Sequence, residues 1–148
     1  MQILVAEDDR ASRQALEAIL KKAGYEVVAT SNGKEAWQVM QRENPPLLAI
    51  VDWMMPEMDG LEFCRKVRQS GTLSSTYIVL LTNKRQKDDL LTGLESGASD
   101  YMRKPFDREE LLARLRAAGR IIKLQSSLTT KMRELNQALS PSKTPKGD

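Results

Sequence analysis

The sequence contains no histidine, and this absence excludes several kinds of chemistry. A Ser-His-Asp triad, an HExxH zinc site and a histidine general base all need an imidazole side chain. Any chemistry that the chain carries must therefore use carboxylates, hydroxyls and lysine, with or without a hard cation.

Cysteine and long apolar runs are also scarce. A single cysteine, Cys64, excludes an internal disulfide framework and fits a reducing compartment. No stretch approaches the roughly 20 apolar residues that a membrane span needs, and the N-terminus MQILVAEDDR lacks the basic segment of a secretory signal. With 41% apolar and 29% charged residues, the composition is typical of a globular protein. We expect a cytoplasmic protein with no membrane partner.

Short apolar runs alternate with amphipathic stretches along most of the chain. The runs predict strands at Ile3–Ala6, Tyr25–Ala29, Leu47–Val51, Thr76–Leu81 and Ser99–Met102. The stretches predict helices at Ser12–Ala23, Lys34–Arg42, Leu61–Gln69 and Arg85–Ser96, with Leu90, Leu91 and Leu94 facing inward, and a last helix with Asp107 as its N-cap. Five strand–helix repeats predict an α/β fold: a doubly wound, five-stranded parallel sheet with helices on both faces.

Polar and charged residues follow four of the five predicted strands. They are Glu7-Asp8-Asp9 after the first strand, Asp52 after the third, Thr82 after the fourth and Lys104 after the fifth. Because the carboxyl ends of parallel strands meet at one edge of a sheet, we expect these side chains to lie close together.

Such a constellation suits phosphoryl chemistry. Crowded carboxylates repel each other and raise each other's pKa unless a cation joins them. Oxygen-only ligands favour Mg²⁺, which binds one or two carboxylates together with phosphate oxygens. A carboxylate can also attack phosphorus and form an aspartyl-phosphate, provided that donors hold the phosphoryl oxygens.

At these residues the chain resembles the receiver domain of two-component response regulators. The matching pieces are Glu7-Asp8, Asp52 within VDWMMPEMDG, Thr82 within VLLTN, and Lys104-Pro105 within DYMRKPF. The resemblance covers residues 2 to about 118 and implies the flavodoxin-like strand order 2-1-3-4-5. One departure is Asn83, because the family usually has a small residue after the threonine.

The resemblance implies a phosphoacceptor switch rather than an enzyme. Asp52 would accept a phosphoryl group from a histidine kinase or a phosphotransfer protein. Thr82 and Lys104 would hold that group, and Tyr101 would turn inward with Thr82 as the switch. The Lys104-Pro105 bond would be cis.

The metal site that the resemblance implies holds Mg²⁺ with oxygen ligands. Its members would be Glu7, mainly through water, Asp8, Asp52 and the backbone carbonyl of Met54. Asp9 lies one place past the matching acidic pair and is left out of this set.

Beyond Ala118 the sequence continues with one apolar stripe at helical spacing. Its members are Ile121, Leu124, Leu128, Met132, Leu135 and Leu139, separated by steps of 3, 4, 4, 3 and 4 residues. We predict a receiver domain at 1–118 and a helical extension at 119–139, with Gly119 as a weak point. The extension would form a homodimer through a parallel coiled coil, or else fold back on its own domain. Residues 140–148 would be a disordered tail or a linker to an output domain of unknown kind.

Three alternatives remain open on the sequence alone. A Mg²⁺-dependent phosphohydrolase with an aspartate nucleophile would usually carry a second aspartate two residues after the first, where this chain has Met54. An adaptor of the same fold would never be phosphorylated. The third is nucleic-acid binding through the basic segment after Asp107, although a charged helix face is more often simply solvated.

Overall fold

The computed structural model describes residues 1–83 and 87–139, with the backbone alone for residues 87 and 88. The strands are β1 Gln2–Ala6, β2 Glu26–Thr30, β3 Leu48–Asp52, β4 Tyr77–Thr82 and β5 Asp100–Arg103. The helices are α1 Arg10–Lys22, α2 Gly33–Met40, α3 Gly60–Gln69, α4 Lys87–Glu95 and α5 Arg108–Leu139. The predicted alternation of strands and helices is confirmed. The start of the predicted fourth helix and the predicted tail at 140–148 lie outside the described residues.

The five strands form one parallel sheet in the order β2-β1-β3-β4-β5. This confirms the order that the resemblance implied. The ladder pairs Asp52 with Leu81 and Thr82 with Arg103. β3 and β4 therefore each run one residue further than predicted, which fixes the Asp52 and Thr82 backbones within the sheet.

The core has two layers, one on each face of the sheet. On one face α2 and α3 pack against the strands, with Phe63 fully buried against residues such as Leu4 and Leu80. On the other face α1 and α5 do the same, with Leu16 and Leu111 fully buried. The period-2 alternation of strand side chains explains this division, because neighbouring strand residues point to opposite faces.

Helix α4 is rotated relative to the prediction. Leu91 and Leu94 are 45% and 42% exposed, so their predicted inward orientation is wrong, and Leu90 is only partly buried. Instead Gly93 lies against the sheet, where an added Cβ would be 3.1 Å from Leu80 Cδ2. A glycine lets the helix backbone approach the sheet closely, and this contact turns the neighbouring leucines toward solvent.

Helix α5 is continuous and much longer than its contact with the sheet. Asp107 caps it by accepting a hydrogen bond from the Glu110 amide at 3.0 Å, as predicted. The helix has 32 residues, and its buried members are Leu111, Leu115, Ala118 and Ile122. All described residues after Ile122 are exposed, so the alternative of a helix folded back on its own domain is wrong for the described residues. None of the described helices combines the length and the apolar composition that a membrane crossing requires.

We expect opposite effects of alanine at two helical glycines. Gly119 lies in mid-α5, and a Cβ added there would meet only open space, so Gly119→Ala should raise the free energy of unfolding by about 0.5–1 kcal/mol. At Gly33 an added Cβ would overlap the Met58 carbonyl, so Gly33→Ala should lower it by more than about 1 kcal/mol. Urea unfolding followed by circular dichroism measures both. A loss of stability in Gly119→Ala would contradict a continuous α5.

Candidate functional site

The candidate site lies at the carboxyl edge of the sheet, as the sequence predicted. Glu7 follows β1 directly, Asp52 and Thr82 are the last residues of β3 and β4, and Lys104 follows β5 directly. The backbone reinforces this convergence, because the Lys104 amide donates to the Thr82 carbonyl at 2.8 Å.

Three carboxylates converge at the centre of the site. Glu7, Asp8 and Asp52 each offer one oxygen, and these oxygens all lie within 4.8 Å of one another. Glu7 and Asp52 are buried, at 1% and 7% exposure, whereas Asp8 is exposed. Such a set of oxygens suits one small divalent cation that reaches solvent on the Asp8 side. In the described part of the chain, no other group of three acidic or metal-ligating side chains is arranged in this way.

Lys104 neutralises part of this charge. Its Nζ lies 2.6 Å from Glu7 Oε1 and 3.1 Å from Asp52 Oδ2, and its side chain is only 18% exposed. The Lys104-Pro105 peptide bond is cis, as the resemblance implied. One ammonium group therefore bridges two buried carboxylates at the ends of separate strands.

Asp52 and Glu7 have pKa values that are shifted in opposite directions. Burial, followed by the hydrogen bond and the charge of Glu7, raises the pKa of Asp52 to about 7. Burial also acts to raise the pKa of Glu7, but hydrogen bonds, with that from Lys104 the strongest, outweigh it and hold the pKa below its usual value. Without a cation Asp52 is thus largely protonated in mildly acidic solution and still partly protonated at neutral pH. A divalent cation would replace that proton and leave Asp52 as a carboxylate.

The β1–α1 loop is held by contacts that the sequence analysis did not anticipate. Arg13 donates from Nη1 to the Glu7 carbonyl at 2.9 Å and, more weakly, to the Asp8 carbonyl at 3.4 Å. Asp9 is the N-cap of α1 and accepts from the Ser12 amide at 2.8 Å, which supports leaving it out of the metal set. A basic residue one turn into the helix after an acidic loop was the only sequence signal for Arg13.

The β3–α3 loop packs tightly beneath Asp52. The Gly60 amide donates to the Trp53 carbonyl at 2.8 Å, and a Cβ on Gly60 would lie 2.5 Å from the Asp52 carbonyl oxygen. Only glycine therefore fits where this loop returns to the sheet. The Met54 side chain is 63% exposed, and the role of its carbonyl as a metal ligand stays a prediction.

The two predicted switch residues are in contact. Thr82 is 1% exposed and Tyr101 is half-buried. Burial raises the pKa of the Tyr101 phenol, and a hydrogen bond with the Thr82 side chain acts in the opposite direction. Trp53 packs edge-on against the Tyr101 ring, with centroids 6.5 Å apart and planes at 82°. Tyr101 in β5 thereby links Thr82, at the end of β4, to Trp53, the residue after Asp52.

A cleft of about 390 Å³ borders the site. Glu7 and Lys104 form its polar wall, and Ala15 and Phe106 contribute apolar surface. Asn83, the residue at which the chain departs from the family pattern, lies at its rim and is exposed. The cleft gives a route from solvent to the carboxylate cluster.

Comparisons with known proteins agree with this geometry. The profile of the response regulator receiver domain family matches residues 3–116. Response regulator MprA from Mycobacterium leprae is 44% identical over 117 residues, which are 79% of this chain and 50% of that protein. The chain thus spans about half the length of the curated relatives it matches.

The described fold also resembles several solved receiver-domain structures. The BeF3-activated N-terminal receiver domain of RstA from Klebsiella pneumoniae is 37% identical, with a TM-score of 0.70 over 79% of this chain and 97% of that one. The receiver domain of the sensor histidine kinase PA1611 from Pseudomonas aeruginosa, which has a magnesium ion coordinated in its active site cleft, is 29% identical, with a TM-score of 0.72 over 78% of this chain and 94% of that one. With the family profile covering most of its length and the acidic cluster at the expected edge of the sheet, this chain belongs to the response regulator receiver domain family.

Proposed function

We propose that the chain is the phosphoacceptor switch of a two-component pathway. Asp52 accepts a phosphoryl group from a histidine on a kinase or phosphotransfer protein, with Mg²⁺ bound beside it. One observation carries the proposal: the Glu7, Asp8 and Asp52 oxygens lie within 4.8 Å of one another, and Lys104 Nζ is 3.1 Å from Asp52.

The proposed metal site uses residues that fit Mg²⁺. Asp8 and Asp52 would ligate the ion directly, Glu7 would reach it mainly through water, and the Met54 carbonyl would complete the protein ligands. When bound, the ion supplies positive charge to the phosphoryl oxygens. The magnesium in the structure of the Pseudomonas receiver domain supports this assignment.

The transfer itself needs little from the protein beyond placement. A carboxylate oxygen of Asp52 forms a bond to phosphorus as the phosphorus–nitrogen bond of the donor phosphohistidine breaks, and the imidazole leaves with the bonding pair. The Lys104 ammonium and the Thr82 hydroxyl donate hydrogen bonds to the transferred group. The cleft beside Asn83 and Phe106 admits the donor histidine.

Phosphorylation would change the partners of Lys104 and Thr82. Lys104 now pairs with Glu7 and Asp52, and Thr82 with Tyr101. A phosphoryl group adds about −1.5 to −2 charges and competes for both donors. Tyr101 would lose its bond with Thr82 and turn inward, which would bias the surface of α4, β5 and α5 between two states.

We also propose a homodimer through the C-terminal helix. Residues 1–118 would act as the receiver, residues 119–139 as a helical extension that pairs with a second copy, and residues 140–148 as a tail or linker to an output domain. The support is the exposed stripe on α5, in which Leu124, Leu128 and Leu139 are each more than half exposed. A row of exposed leucines on one helix face is a typical interaction surface.

The alternatives find less support. Met54 stands where an aspartate-nucleophile phosphohydrolase would need its second aspartate, and its side chain is exposed. A never-phosphorylated adaptor would not need Lys104 paired with two buried carboxylates, Glu7 and Asp52. No described feature specifically favours nucleic-acid binding by the basic part of α5.

Incubation with Mg²⁺ and a small-molecule phosphodonor should add one phosphoryl group to the intact chain. Asp52→Asn should abolish the gain, because Asp52 supplies the attacking oxygen. Asp9→Asn is the matched control and should be phosphorylated like the parent, since Asn also caps helices well. Intact-mass spectrometry reads the result. An unmodified parent, or equal modification of Asp52→Asn, would refute the proposal.

The metal-free protein should lose stability as the pH rises from about 5 to 7, a range above the ordinary pKa values of the carboxyls whose pKa folding lowers, such as Glu7. The Asp52 pKa of about 7 in the folded state exceeds its ordinary value of 3.8, so the folded state holds more protons across this range and stability falls as they leave. Asp52→Asn should remove this fall. At pH 8 its free energy of unfolding should exceed that of the parent by about 1–3 kcal/mol. Mg²⁺ should raise the free energy of unfolding of the parent more at pH 8 than at pH 5. Urea unfolding with and without chelator measures this, and a parent whose stability rises over the same range would contradict it.

Sedimentation should show a concentration-dependent dimer of the full chain. Leu128→Lys with Leu135→Lys places two charges on the exposed stripe and should give a monomer without loss of folding, since both side chains are exposed. Ser127→Lys with Glu134→Lys has the same spacing one residue earlier, off the stripe, and should remain a dimer. A monomeric parent would remove the proposed homodimer.

A further inference from the structure

The exposed apolar stripe on α5, from Ile121 to Leu139, begins beside the last residue of the helix that is buried against the domain. Ile121 is 39% exposed and the other members are 56–71% exposed, whereas the neighbouring Ile122 is 6% exposed and packs against the domain. The stripe therefore begins where the helix leaves the sheet. About 25 Å of helix, from residue 123 to residue 139, projects beyond it.

The stripe repeats every eleven residues rather than every seven. Ile121 is followed by Met132, Leu124 by Leu135, and Leu128 by Leu139, each eleven positions later. A seven-residue repeat starting at Ile121 and Leu124 would instead place Lys131 and Ala138 in the stripe. Eleven residues in three turns is 3.67 per turn, slightly more than the 3.6 of a straight helix. Such a stripe runs almost along the helix axis and favours a nearly straight or slightly right-handed pairing.

The two edges of the stripe repeat with the same period and differ in chemistry. Arg120 and Lys131 lie on one edge, and Gln125 and Asn136 lie on the other. Each pair is again separated by eleven residues. All four residues lie on the described helix, and the last three are exposed beyond the contact with the domain.

These edges distinguish the two orientations of a helix pair. In a parallel pair each edge faces the opposite edge of the partner, so the basic side chains meet amide oxygens that accept their hydrogen bonds. The spacing fits as well, because Gln125 follows Arg120 and Asn136 follows Lys131 by five residues, as edge positions that face each other across a parallel pair do. In an antiparallel pair like edges meet, and the basic edges would repel each other.

We propose that a second copy of this chain covers the stripe in a parallel, in-register and nearly straight helix pair with an eleven-residue repeat. This rests on the homodimer proposed above and adds its geometry. The pairing begins at Ile121, where α5 leaves the sheet, and brings the two C-terminal ends together at Leu139. The domains lie beside the pair, since Ile122 points about 100° away from Ile121.

Disulfide trapping of the full chain tests the geometry. Met132→Cys and Leu139→Cys lie in the eleven-residue stripe, and Lys131→Cys and Ala138→Cys are their matched neighbours in a seven-residue stripe. The native Cys64 is fully buried, so the parent serves as the blank. Under mild oxidation the stripe variants should form disulfide dimers at least about fivefold faster than their neighbours, because only their Cβ atoms come close enough.

Orientation is tested at the two ends of the stripe. Leu124→Cys and Leu139→Cys should both form disulfide dimers, because in-register parallel helices place like residues opposite each other. Dimers from Met132→Cys but from neither end would indicate an antiparallel pair and overturn the proposal.

The remaining outcomes separate this proposal from those it rests on. Faster trapping of Lys131→Cys and Ala138→Cys would overturn the eleven-residue geometry but leave the homodimer. Monomers in sedimentation under reducing conditions would overturn both, because the stripe would then belong to another partner. The phosphorylation of Asp52 is measured independently and would stand in either case.

Discussion

The arrangement at the carboxyl edge depends on the bridge from Lys104 to Glu7 and Asp52. Two carboxylates buried this close would repel each other and resist ionisation without a nearby cation. The Lys104 amide is fixed to the end of β4 by its hydrogen bond to the Thr82 carbonyl, and this places the lysine beside them. Its ammonium group lets the chain fold with an acidic centre that is still open to a metal ion. The fold and the proposed chemistry thus share one ionic contact, which connects residues 97 positions apart.

Much of this could be predicted from the order of residue types alone. Apolar runs such as Leu48–Val51 require a sheet covered on both faces, and alternation with helices requires its strands to be parallel. Parallel strands in turn bring Glu7, Asp52 and Lys104 to one edge. The strand order did not follow from these patterns, because several orders satisfy the same alternation, and it came instead from the family resemblance.

The sequence reasoning failed where close packing or long side chains decide the outcome. The leucine pattern of α4 identified a helix but not its rotation, since Gly93 approaches Leu80 more closely than a leucine face could. The contacts of Arg13 with the carbonyls of Glu7 and Asp8 depend on loop geometry that no periodicity encodes. The bond between Thr82 and Tyr101 likewise needs the register of β4 and β5, which is set by the whole sheet.

The direction of α5 has a further consequence. Helices that follow parallel strands run back toward the amino edge of the sheet, so α5 leaves the domain at the pole opposite Asp52. If Asp52 is phosphorylated as proposed, the resulting change has to pass from the carboxyl edge of the sheet to its amino edge before it can reach the proposed helix pair. The Asp100–Arg114 ion pair, with Nη1 3.0 Å from Oδ1, joins β5, the strand that carries Tyr101, to α5. Helix α5 would then act as a stiff rod that carries the change out of the domain, anchored to the core by Leu111 and Leu115.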